Sequence, residues 1–515
     1  MKLRLIAAIF AILLSTSLAC NTLTGARAPL PSSTPRPRAS STPAPLATDS
    51  PTPASPTAAA TFDAPENPSP GTDGIGDPYF EDLGNGGYDV QHYDLVLEVD
   101  LEANHIQATE TIQLVTTQEL SSLNLDFAGL IVEAISVEGS GVLYQRDGAE
   151  LTIYLPEPSP AGDELQITIH YSGTPGEGLG AAAALYSEGW THYGDGILVA
   201  GEPTGAATWY AVNEHPADKA TYTLAVTVDE PYEVASVGVL QGIDERGGQR
   251  TYRWEMDDPI APYLVTVGIA EFDVQEYTGP SGVAIRNYFG ADVSQSVRDD
   301  FALQGDMIEY FETIFGPYPF DAYGVVVHDL DLFFALETAT MAVFGSGFTD
   351  EYVVAHELSH MWFGDSVGLS AWQDIWLNEG FASYAEYLWS EHTQGREGMD
   401  EDIRGSYQQV AQFGLFMGGA PIGDPGPDEL FGNQVYARGA LTLHALRLEV
   451  GDADFFEILQ TYYGRYAHSN ATTADFIAVA EEVSSRQLDE FFEGWLYQVE
   501  LPDIPQMDLF AEDSQ

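Results

Sequence analysis

The sequence predicts an α+β protein of more than one domain: an antiparallel β domain, then a domain that mixes strands with helices. Three observations carry that expectation. From Tyr88 onward, apolar and polar residues alternate in short segments divided by Gly, Pro and Asp. After Ile285 helical segments appear beside a strand, Val325-Val326-Val327, and one of them is expected over 297–315. Third, His356-Glu357-Leu358-Ser359-His360 sits in an apolar setting that reads as a half-buried helix. With 515 residues, 44% of them hydrophobic, the chain has material for two globular cores.

Taken in order, residues 1–19 read as a signal peptide, since Lys2 and Arg4 precede an apolar run, Leu5 to Leu14, too short to span a bilayer. Ser17-Leu18-Ala19-Cys20 resembles a bacterial lipobox, and Cys20 is the only cysteine, so it has no disulfide to make. This predicts an exported, extracytoplasmic protein tethered to a bacterial membrane through lipidated Cys20; the alternative is a secreted or periplasmic protein with an ordinary cleaved leader. Residues 20–79 hold the lipidated cysteine and a Pro/Ser/Thr/Ala-rich stretch in which thirteen of the thirty prolines fall. Nothing there can build a core, so a disordered tether of roughly 40 Å reach is expected.

The β domain is expected over 80–278. Tyr93, Leu95, Leu97 and Val99 alternate with polar residues, and Leu151/Ile153/Leu155, Leu165/Ile167/Ile169 and Tyr222/Leu224/Val226/Val228 repeat the habit. The second domain is expected over 279–503, and 504–515 as an acidic tail. A formal charge of −61, with lysine only at positions 2 and 219, would repel nucleic acid and excludes it as a partner.

Two histidines four residues apart on a helix face the same way and can reach one metal ion, while the glutamate between them can take a proton from water. Thr349 or Asp350 is expected to cap this helix and Gly364 to stop it. Eighteen residues separate His360 from Glu379, which stands on a second apolar segment opening at Trp372 and would be a third ligand. Two histidines and one carboxylate leave a coordination position open, as catalytic zinc sites do. Glu386, seven residues on, is expected either to orient a ligand or to join a surface ion pair.

HELSHMWFGD followed by WLNEGFASYAEY resembles the zinc aminopeptidases of the aminopeptidase N and leukotriene-hydrolase type, within the gluzincins, and the resemblance runs from about Tyr88 to Pro502. It implies a saddle-like N-terminal β domain and a thermolysin-like zinc catalytic domain, one Zn2+ per chain held by His356, His360 and Glu379, and Glu357 as general base. Val435-Tyr436-Ala437-Arg438-Gly439 is similar to the family's Tyr-x-Lys-Gly segment, which implies that the Tyr436 phenol stabilises the oxyanion. Gly201-Glu202-Pro203 and Phe334-Ala335-Leu336-Glu337-Thr338 match the segments whose acids grip the substrate's free amine, implying that role for Glu202 and Glu337. In the second segment only Glu337 matches strictly; Phe334, Leu336 and Thr338 replace Gly, Met and Asn. The implied activity is hydrolysis of the N-terminal bond of peptides with a free N-terminus. The rivals are an endopeptidase using the same centre and a non-catalytic surface-binding protein on a peptidase scaffold.

Overall fold

The computed structural model describes residues 69–176, 189–330, 334–417 and 421–511. The readings of residues 1–20, and most of the expected tether, lie outside the described residues.

Alternating apolar residues build the N-terminal half as expected. Strand Tyr88–Asp100 buries Tyr93, Leu95, Leu97 and Val99 and turns the residues between them outward. It lies in an eight-stranded sheet ordered Val239–Arg246, Gln249–Ile260, Ala220–Asp229, Tyr88–Asp100, His105–Thr116, Glu164–Gly173, Ile131–Val137 and Ser140–Gly141. One pairing departs from the antiparallel expectation: Ala220–Asp229 runs parallel to Tyr88–Asp100. Parallel neighbours need a long crossover, and here the intervening chain adds four more strands to this sheet and others to two further sheets before returning. Stacked Tyr93 and Tyr222, with Tyr210 edge-on to both, fill the space beneath that junction. A four-stranded sheet of Gly189–Tyr193, Gly196–Ala200, Val267–Ala270 and Glu233–Ser236 leads the chain toward the second half.

Strand Phe272–Thr278, expected to close the β domain, instead pairs with Ala284–Gly290 in the sheet of the second half. Val325–His328 and Ala342–Gly345 continue that sheet in parallel, and Ala335–Leu336 closes it as a short antiparallel edge. The helix expected over 297–315 is broken in two, Gln295–Asp300 and Gln304–Phe315. At the break Phe301 turns into the core against Phe289 and Phe344, and the buried Gln304 amide oxygen accepts from Tyr277 and Asn287. Tertiary packing there overrides helical propensity.

Order also extends further at both ends than expected. Thr72–Asp73 pairs with Asn85–Gly86, and Asp77 is buried, accepting from the backbone amides of Tyr79, Phe80 and Trp372 and from the His215 ring. In the expected tail, Ile504, Met507 and Leu509 are buried, and Arg404 donates to the Met507 carbonyl.

Candidate metal centre

Helix Glu351–Ser359 is capped by Asp350, whose carboxylate accepts from the amides of Tyr352 and Val353. His356 lies in its last turn and His360 at its C-cap; the chain then tightens and reverses at Gly364, where φ is +135°. The helix therefore stops short of the expected Gly364. The next segment opens as a single tight turn, Trp372–Asp374, before the helix Trp376–Gln394 begins. Glu379 sits in the first turn of that second helix.

The two helices meet so that Glu379 Oε2 stands 3.3 Å from His356 Nε2 and 3.6 Å from His360 Nε2. Three donors about 2.0–2.1 Å from one ion in tetrahedral array stand about 3.4 Å apart, so these separations fit zinc. The other ring nitrogens are already used. His356 Nδ1 donates to Glu386 Oε1 at 2.7 Å, and His360 Nδ1 donates to the Phe363 carbonyl at 3.1 Å. Each bond fixes a tautomer and leaves Nε2 facing the carboxylate. The structure thus chooses the orienting role for Glu386 over a surface ion pair. Burial raises the Glu379 carboxyl, but the two histidines facing it outweigh that and hold the group down at about 2. An anion facing two imidazoles with their Nδ1 positions occupied is a ligand set for a small cation.

The other expected residues gather around this centre. Glu357 is buried; burial pushes its carboxyl up to about 8, with Glu337 and Glu379 adding to the rise and the histidines opposing it. The Tyr436 ring lies 6.0 Å from the His356 ring and nearly parallel to it. Burial, reinforced by Glu379 and Glu202, keeps its phenol protonated. One oxygen each of Glu202, Glu337 and Glu379 lie within 4.8 Å of one another, as do ligand atoms of Glu337, Glu357 and His360. Glu202 is 8% exposed and Glu337 2% exposed, and among the described residues Oε1 of each has no hydrogen-bond partner. Unpaired buried acids of this kind are costly unless a cation completes them.

Local folding explains how they arrive. Glu202 follows strand Gly196–Ala200 in a turn whose amides at Gly205, Ala206 and Ala207 donate to buried Glu214. Glu337 directly follows the edge strand, and the amide of Ala339 is tied to the Leu264 carbonyl of the β half. Helix Asn433–Val450 carries Tyr436 and crosses the Glu379 helix where two glycines touch. A Cβ on Gly380 would stand 2.9 Å from the Gly439 Cα, and one on Gly439 would stand 2.7 Å from the Gly380 Cα. Buried Arg438 donates to the carbonyls of Gly494, Trp495, Gln498, Val499 and Glu500, fastening the C-terminal segment to the same helix.

Sequence reasoning gave no role to Tyr263, Asp365, Asn378 or Lys219. Tyr263 is buried beside Glu337 and Glu202 and accepts from the Asn378 amide. Asp365 is fully buried, and neither of its carboxylate oxygens has a partner among the described residues. The available signals were Asp365 directly behind the zinc motif and a lysine in a chain almost without lysine.

A β-rich half packed against a helical half, with two histidines and a glutamate converging from neighbouring helices, defines a two-domain protein of the zinc-metallopeptidase class. The "Peptidase M1 N-terminal domain" matches residues 89–264 and the "Peptidase family M1 domain" residues 301–495. The M1 zinc metallopeptidase from Deinococcus radiodurans, solved as a mutant with a Tyr-Ser-Ala substrate, superposes with a TM-score of 0.78 at 30% identity, covering 84% of this chain and 99% of that one. "Probable aminopeptidase 2" of Sulfurisphaera tokodaii is 26% identical over 431 residues, 79% of this chain and 53% of the relative. Human glutamyl aminopeptidase is 27% identical over 328 residues, 58% of this chain and 34% of the relative. The chain belongs to peptidase family M1. It spans about half the length of the longer curated relatives it matches, such as the Sulfurisphaera protein at 53%.

Proposed function

We propose that the protein is a zinc-dependent aminopeptidase that removes the N-terminal residue from peptides with a free α-amine. The observation that carries this reading is the pair of buried carboxylates, Glu202 and Glu337, each with Oε1 lacking a partner among the described residues, beside the His–His–Glu centre. An α-ammonium supplies the positive charge and the donors both acids lack, and it sets the first peptide bond over the metal ligands.

His356, His360 and Glu379 would hold one zinc ion. When bound, zinc polarises the scissile carbonyl and lowers the pKa of attacking water. Glu357 accepts the proton of that water at its carboxylate and passes it to the leaving amine. The Tyr436 O–H donates to the carbonyl oxygen as charge grows there; a donor in this position is typically worth about 3–4 kcal/mol in the transition state.

Fluorogenic aminoacyl amides, assayed with and without chelator and beside their N-acetylated forms, test the reading. Free-amine substrates are expected to turn over and N-acetylated ones to resist. Equal cleavage of both makes the protein an endopeptidase, and no cleavage of either makes it a binding protein. Glu357→Gln is expected to retain zinc and lose at least ~100-fold in kcat.

We also propose that the protein is exported and held at a bacterial membrane by lipidated Cys20. The support is the charged start, the apolar run and the small residues before the sole cysteine. Mass spectrometry of the membrane fraction, comparing wild type with Cys20→Ser, tests it: detergent extraction should be needed only for wild type.

A further inference from the structure

We propose that Lys219 of the β half is a positioning residue for the zinc ligand His360, so that the junction between the halves sets metal affinity. The inference rests on the zinc reading above.

Lys219 stands at the start of strand Ala220–Asp229, directly after Asp218, whose buried carboxylate accepts from Asn213 and from the Val90 amide. Its half-buried side chain crosses to the second half. Nζ donates to the carbonyls of Asp365 and Ser366, 2.8 Å from each. Those carbonyls belong to the reversal that follows His360. Within it, Asp365 N–H donates back to the His360 carbonyl at 3.0 Å, and the Phe363 carbonyl accepts from His360 Nδ1. One ammonium therefore grips the loop whose own carbonyl aims the imidazole.

The far side of the loop is fixed independently. Val367–Leu369 pairs with Ser469–Ala471, and Ser366 Oγ accepts from the His468 amide. With that side held, Lys219 decides how the reversal sits against the β half. Gly368 makes room for it: a Cβ there would lie 2.6 Å from Lys219 Cε and 2.8 Å from Nζ. Lys219 is the only lysine among the described residues, and no arginine replaces its compact ammonium without moving the carbonyls. The charge has a second effect, since it faces Asp365, a buried carboxylate otherwise surrounded by Glu337 and Glu357.

The test compares wild type with Lys219→Met, which keeps the stem and loses the donors, and with Gly368→Ala. The alanine methyl would meet Lys219 Cε and Nζ and also Asn470 Oδ1, 2.8 Å away, so it displaces the ammonium while the lysine keeps its donors; Asn470→Ala, which loses only the other neighbour, is the control. Zinc dissociation constants are read by chelator competition, and kcat and KM on a free-amine substrate. Both variants are expected to bind zinc about 10-fold more weakly or worse, the range typical when a ligand's supporting contact is lost. At saturating zinc, kcat should fall several-fold with KM within twofold, and Lys219→Arg should recover part of the affinity. Zinc affinity within twofold of wild type in both variants overturns the proposal, even if thermal stability drops. If Lys219→Met does not fold, Gly368→Ala decides alone. A wild-type protein that neither binds zinc nor cleaves refutes the aminopeptidase reading instead; one that does both while the variants match it refutes only the role of Lys219.

Discussion

Glu386 lies 2.7 Å from His356 Nδ1, two turns along the helix from Glu379. One helix thus provides both a proposed metal ligand and the acid bonded to another. Removing that carboxylate leaves the imidazole free to rotate and lowers its basicity, and partners of this kind are typically worth about 10–100-fold in metal affinity. Glu386→Ala should therefore lose zinc at chelator concentrations that wild type withstands, with an unchanged far-ultraviolet circular dichroism spectrum. The proposed metal ligands were legible as a cluster because a helix fixes the spacing of His356 and His360, and Glu379 follows at a set distance. Glu202 and Glu337 carry no local signal; only resemblance singled them out, because their meaning arises where they meet across about 135 residues of chain. Lys219, Tyr263 and Asp365 stayed unread for the same reason. Each acts on a partner in the other half of the molecule.

Among elements, the crossing of the Glu379 and Tyr436 helices is the tightest constraint. Gly380 and Gly439 meet backbone to backbone, which places the proposed metal ligand Glu379 and the proposed oxyanion donor Tyr436 on adjoining helices. A methyl group at either position must force the axes apart, and overpacking of this sort typically costs about 1–3 kcal/mol. Gly439→Ala is expected to lower the denaturation midpoint in urea and to reduce kcat more than KM, because Tyr436 moves with its helix. The sequence shows both glycines, in Asn378-Glu379-Gly380 and Arg438-Gly439, but a glycine in a helix does not name its neighbour. The break after Asp300 was hidden for a related reason: Phe301 suits a helix face equally well, and only the pocket made by Phe289 and Phe344 turns it inward.

For the molecule as a whole, the segment 69–87 is a strap across both halves. Asp77 joins His215 of the β half to the Trp372 amide of the catalytic half, while Tyr79 donates to Asp424 and accepts from the Gly426 amide. Burial raises the Asp77 carboxyl, yet its four hydrogen bonds prevail and hold it at about 2, below its ordinary 3.8. A carboxyl with a depressed folded-state pKa contributes stability above its unfolded value and loses that contribution as pH falls through the folded one. Asp77→Asn should therefore be less stable than wild type by roughly 2 kcal/mol at pH 7. The gap should narrow below pH 3.8 and close near pH 2 in urea titrations followed by fluorescence. The first part of this segment, as far as residue 79, reads as tether because it continues a Pro/Ser/Thr/Ala-rich stretch. What orders it is one acid with partners 138 and 295 residues away, a relation no window of sequence contains.

The guanidinium of Arg438 ends in a ring of main-chain oxygens, all five from the stretch 494–500. Because every residue type carries a carbonyl, the side chains of that stretch can drift without loosening the grip. Three separate nitrogens share the work, and lysine offers one. Where lysine takes this place, as in the resembling Tyr-x-Lys-Gly segment, fewer of those oxygens can be held at once; here the ribbon is free to vary in its lettering but not in its path.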